Sequence, residues 1–136
     1  MSLAFNPENY ATQLAEKRER LCHLLAEFDA PEPEVFTSAP EHFRLRAEFR
    51  LWYENGQPHY AMFEQGNKHK AVLIDQLPIA SKRINELMTP LLDACKANPI
   101  LGRKLFQVEF LTTLSGEALV TLCYHRPLDE DWDEPA

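Results

Sequence analysis

Residues 43–51 read FRLRAEFRL, and this stretch restricts the possible folds more tightly than any other. Phe43, Leu45, Ala47, Phe49 and Leu51 alternate with Arg44, Arg46, Glu48 and Arg50. Successive side chains of a strand point to opposite faces, so this period of two predicts a strand with one apolar and one charged face. Such a strand needs a sheet, and a sheet with one apolar face needs a covering layer on that side. Glu54-Asn55-Gly56-Gln57 follows as a hairpin turn signal, because Asn and Gly both tolerate positive φ.

The return strand is predicted over 59–65, and Gly66-Asn67 turns the chain into a short strand over 71–75. A second hairpin is predicted over 105–113 and 117–125, around Ser115-Gly116. Two helices supply the cover. Asn6-Pro7-Glu8 is a helix start, with Asn as N-cap and Pro at the first helical position. Tyr10, Leu14, Leu21, Leu24, Leu25 and Phe28 then follow helical spacing until Pro31 and Pro33 impose an extended linker. The second helix is predicted over 81–97, with Ile84, Leu87, Met88, Leu91, Leu92 and Cys95 as its stripe. Pro90 is expected to kink it or to restart it after Thr89. The fold class is therefore α+β: an antiparallel sheet of about five strands with two main helices, in a single domain. That domain is expected over 1–128, followed by an acidic tail over 129–136.

At 136 residues, with 45% apolar and 26% charged side chains, the chain has the size and balance of one globular domain. Fourteen basic against twenty-one acidic side chains leave a net charge of −7, which excludes a protein basic all over. The charges are segregated, however. From His42 to Arg126 there are eleven Lys or Arg against eight Asp or Glu, while 27–41 and 129–134 each hold five acids and no Lys or Arg. The middle is mildly basic between acidic flanks. No apolar run approaches the ~18 residues of a membrane helix, and the opening MSLAFNPENY has no secretory pattern, so a cytoplasmic protein is expected. Cys22, Cys95 and Cys123 form no CxxC pair, which leaves no disulfide framework and no zinc knuckle.

No Gly-rich phosphate cradle, nucleophile–base pair or metal-ligand spacing is written in the chain. The chemistry left is the charged face of the arginine strand. Arg44, Arg46 and Arg50 offer planar forks of donors that match phosphate oxygens. Lys68, His69, Lys70, Arg103 and Lys104 lie in neighbouring segments, and Trp52 and His125 are placed to stack on bases. The same pattern also fits a solvated face laced with salt bridges to Glu48 and Glu109. Phe106 alternates in step with Val108 and Phe110, which favours the core, although its place at the start of a strand leaves it able to reach outward.

The segments AEKRERL, PEVF, FRLRAEFRLW, ANPILGRKLFQVEFLTTLSG and LCYHRPLDEDW resemble the amino-terminal part of bacterial tRNA (uracil-5-)-methyltransferases. The resemblance runs from about Tyr10 to Trp132. It implies a parent enzyme that methylates carbon 5 of a uridine in the tRNA T loop with S-adenosylmethionine. In that family a cysteine nucleophile, a glutamate base and the cofactor pocket lie in a carboxy-terminal Rossmann-like domain. None of Cys22, Cys95 or Cys123 matches the nucleophile motif, so no catalytic or cofactor-binding residue and no metal ligand is expected in this chain. The resemblance thus implies the substrate-recognition part alone, inactive by itself, with the acidic tail leading towards the catalytic half. By the same resemblance, Arg44, Arg46 and Arg50 would contact RNA backbone, and Phe106, Gln107 and His125 would lie near the T loop. The alternative is a stand-alone RNA- or protein-interaction module without enzymatic activity.

Overall fold

The computed structural model describes residues 5–64 and 66–136, apart from the side chains of 64 and 67–69. A 3-10 turn over Pro7–Asn9 opens α1 (Tyr10–Leu25). Then come β1 (Arg46–Glu54), β2 (Gln57–Glu64), β3 (Asn67–Ile74), α2 (Lys82–Ala97) and the short α3 (Pro99–Gly102). The chain continues through β4 (Leu105–Thr112), β5 (Ala118–Tyr124) and one helical turn, α4 (Glu130–Asp133). Among the described residues the strands form a single antiparallel sheet in the order β3-β2-β1-β4-β5, so the arginine strand is central. The α+β class holds.

The turn between β1 and β2 is the one the sequence demands, with Asn55 at φ 51° and Gly56 at φ 76°. Beyond it the alternation of β1 works as predicted. Ala47, Phe49 and Leu51 are buried, while Arg46, Glu48, Arg50 and Trp52 are exposed. The buried face carries a cluster of rings, Phe49 lying 5.3 Å from Tyr60 and 5.9 Å from Phe110. Helix α2 covers it with Ile84 and Met88, both fully buried. Removal of such side chains from water contributes about 1.5–3 kcal/mol each. The Tyr60 hydroxyl donates to the Met88 carbonyl at 2.8 Å, fixing the helix to the sheet.

The start of α2 is held by two polar residues. Ser81 Oγ accepts from the Ile84 N–H at 3.2 Å and lies 2.8 Å from Thr112 Oγ1, so the cap is also tied to β4. Asn85 accepts from the Leu77 N–H and donates to the carbonyls of Leu77, Ala80 and Ser81, which secures the loop before the helix.

Three expectations are corrected, and of the two alternatives at Pro90 the restart falls away. α2 does not restart at Pro90; it runs unbroken from Lys82 to Ala97. Thr89 and Pro90 are exposed, so solvent reaches the turn where proline removes a donor. Strand β3 begins at Asn67 rather than at residue 71. Phe43 is half-exposed rather than core, because β1 starts only at Arg46. Before it, the Arg44 backbone pairs with another loop: its N–H donates to the Ile79 carbonyl and its carbonyl accepts from the Ser81 N–H, both at 2.8 Å. Finally, α1 has no buried residue, and Leu24 near its end and Phe28 in the 3-10 turn that follows are 67% and 69% exposed. Periodicity specifies a helix but not what it packs against.

Candidate nucleic-acid interface

The sheet face away from α2 is open, and β1 crosses its middle. Arg46, Glu48, Arg50 and Trp52 stand there in a row. Antiparallel pairing sets Arg50 opposite Gln107 on β4, Glu48 opposite Glu109, and Arg46 opposite Leu111. Opposite residues on one face are close enough to touch. Arg46 is bound to Glu48 and also lies 3.6 Å from Glu109. Gln107 Nε2 donates to Glu109 at 2.8 Å. One half of the face is therefore the salt-bridged surface that the sequence allowed as its plainer reading.

The other half is different, and a β-bulge is the cause. Leu105 pairs with Tyr124, but the next pair is Gln107 with Cys123, so Phe106 has no partner. The extra residue shifts the phase of the strand. Leu105 joins Val108 and Phe110 in the core, each no more than 1% exposed, and Phe106 is turned to the open face. There its ring stacks on the His125 imidazole with centroids 3.8 Å apart and planes 16° from parallel. The guanidinium of Arg50 sits over the same ring, 5.5 Å from its centroid. Among the described residues Arg50 has no carboxylate within salt-bridge distance. His125 is fixed from behind, its N–H donating to the Lys104 carbonyl at 2.9 Å.

Four of the six candidate residues thus meet: Arg50, Phe106, Gln107 and His125. Arg46 shares the face but is engaged by carboxylates. Arg44 is not on the strand at all. It is exposed beyond its end, with Nε donating to the Arg46 carbonyl at 2.9 Å. Lys70 is exposed on β3, and the side chains of Lys68 and His69 lie outside the described residues. The sequence carries only an ambiguous trace of the bulge, the adjacent apolar pair Leu105-Phe106, because the same strand holds a second such pair, Phe110-Leu111, without a bulge. Arg126 has a structural role that no sequence pattern marks. It donates to the carbonyls of Ile100 at 2.7 Å and Arg103 at 3.0 Å, anchoring the segment that carries His125.

Cys95 and Cys123 have surroundings that disfavour the thiolate. Burial pushes the Cys95 thiol up. Burial, then the Glu109 and Glu48 carboxylates, pushes the Cys123 thiol up.

A family model for tRNA (uracil-5-)-methyltransferase matches residues 9–136. The chain belongs to the tRNA (uracil-5-)-methyltransferase family. Its relatives include a tRNA/tmRNA (uracil-C(5))-methyltransferase of Pseudomonas putida (strain GB-1), 65% identical over 136 residues, covering all of this chain and 38% of the relative. The protein of the same description from Stutzerimonas stutzeri (strain A1501) is 69% identical over 131 residues, covering 96% of this chain and 36% of the relative. One from Pseudomonas aeruginosa (strain LESB58) is 64% identical over 134 residues, covering 97% and 37%. The chain therefore spans little more than a third of the length of the curated relatives it matches. Among the described residues no helix is long and apolar enough to cross a membrane.

Proposed function

We propose that this chain is the tRNA-recognition part of an S-adenosylmethionine-dependent tRNA (uracil-5-)-methyltransferase acting in the cytoplasm. In this reading the open face of the sheet holds the T arm while the parent enzyme forms 5-methyluridine in its loop. The observation that carries it is the Arg50–Phe106–His125 cluster. A cation above a ring stack, on a rigid sheet, offers a base a π-face and a phosphate a charged donor at one place. Gln107 beside it adds amide donors and an acceptor for a base edge.

The residues here do not fit an adenosylmethionine pocket. That cofactor is commonly held at a glycine turn leading from a strand into a helix of a parallel sheet. Every strand pair described is antiparallel, and Gly56, Gly66 and Gly116 lie in turns between strands. The methyl donor and the reacting uridine belong to another part of the parent enzyme, and this chain positions the substrate. The test is binding of a T-arm hairpin to the 136-residue chain, followed by fluorescence anisotropy at low salt. A T-arm hairpin should bind more tightly than an unrelated hairpin of equal length, and equal or absent binding refutes the proposal.

A further inference from the structure

The aromatic surface of the open face does not end at Phe106. Trp52 follows Arg50 on the same face of β1 and is 40% exposed, large for an indole inside a central strand. It pairs with His59 on β2, yet its ring leans along the sheet towards Phe63, 6.3 Å away and 71° from parallel. Between His59 and Phe63 on that face lies Ala61, only 1% exposed. A small side chain there lets two large rings close over it, with Phe63 meeting the indole edge to face. An edge-to-face pair leaves part of the indole face free. Arg50 lies opposite Ala61 on one side and Gln107 on the other, so it stands between the two ring pairs.

Resting on the tRNA-binding reading, we infer that Trp52, braced by Phe63, is a second base-stacking site for single-stranded RNA, on the opposite flank of Arg50 from Phe106 and His125. Strands in a sheet are about 4.8 Å apart. The two ring pairs, one over β1–β2 and one at the ends of β4–β5, are then roughly 10–15 Å apart across the sheet. That span suits bases of one looped strand that are not adjacent, with an intervening phosphate at Arg50. Sheets that bind RNA through two or three stacked bases use the same division of labour. A protein partner seated on Trp52 and the half-exposed Leu73 is the competing occupant.

The chain has two tryptophans, Trp52 and Trp132, so Trp132→Phe leaves Trp52 as the sole indole reporter. Titration of that variant with a T-arm hairpin should quench its emission with the midpoint found by anisotropy. Trp52→Leu keeps an apolar side chain over Ala61 but removes the π-face. It should weaken hairpin binding on the order of tenfold, whereas Trp52→Phe should hold affinity within about threefold. Stacking releases no counterions, so the salt dependence of Trp52→Leu should equal that of the unaltered chain. Binding seen by anisotropy, with emission unchanged and Trp52→Leu at full affinity, overturns this site and leaves the tRNA-binding reading standing, with Trp52 free for a protein partner. No hairpin binding by the unaltered chain overturns both.

Discussion

Phe106 and His125 lie face to face at 3.8 Å, although alternation alone would have put the phenyl ring in the core. Their contact holds both rings in place before any ligand arrives, and such pairs contribute about 0.5–1.5 kcal/mol beyond area burial. Ordering that is already complete need not be supplied on binding.

Phe106→Ala should therefore cost the fold less than a core truncation, since the ring is only partly buried, while sharply weakening hairpin binding. Phe49→Ala should do the reverse in kind, destabilising by about 3–5 kcal/mol because it empties the centre of the ring cluster. Urea denaturation of both variants, beside hairpin titration of Phe106→Ala, checks the contrast. Equal losses of stability would mean that Phe106 belongs to the core.

How much was legible beforehand follows from which features are local. The β1 alternation from Arg46 onward, the Asn55-Gly56 turn and the stripe of α2 depend on neighbours in sequence, and each is found where the pattern put it. The bulge at Phe106 is decided by pairing with β5, which no local pattern records. Arg44 failed for a similar reason: its backbone is claimed by Ile79 and Ser81, far along the chain. Asn85 reads as an ordinary polar helix residue, yet it satisfies four backbone groups of a loop that only the folded chain brings near.

Asn85→Ala should then destabilise more than an ordinary surface substitution. It leaves the Leu77 N–H without its acceptor, which for a buried donor costs about 1–3 kcal/mol. The carbonyls of Leu77, Ala80 and Ser81 keep the Ala80 N–H, the His42 ring and the residue-85 N–H as partners. Thermal unfolding should show a clear loss relative to Asn98→Ala, whose side chain caps only the short α3 through Ile100 N–H. A smaller loss at Asn85 than at Asn98 would contradict this.

Alkaline pH should destabilise the domain. Burial holds the phenols of Tyr60, Tyr53 and Tyr124 protonated beyond the usual tyrosine range. Their folded values are raised, so their contribution is complete below the unfolded value of about 10 and is lost as pH rises above it. Tyr10 runs the other way, lowered by its hydrogen bonds with Ser38. Denaturation midpoints should fall above about pH 10, less steeply in Tyr60→Phe. A flat profile to pH 11 would count against the buried phenol, about one pH unit above its unfolded value.

If the chain only positions the substrate, calorimetric titration with S-adenosylmethionine should show no binding, because the described strand pairs are all antiparallel and form no strand-to-helix glycine turn of a parallel sheet. One-to-one binding at micromolar concentration would contradict that assignment.

The central claim, that Arg50 meets RNA phosphate beside the Phe106–His125 stack, is tested most directly by the salt dependence of T-arm hairpin binding. Each neutralised phosphate contributes a log–log slope of roughly −0.7 to −0.9. Arg50→Ala should make the slope shallower by about one such contact. Arg46→Ala should change it less, because Glu48 and Glu109 already engage that guanidinium. A slope unchanged in Arg50→Ala, or changed more in Arg46→Ala, would contradict the claim.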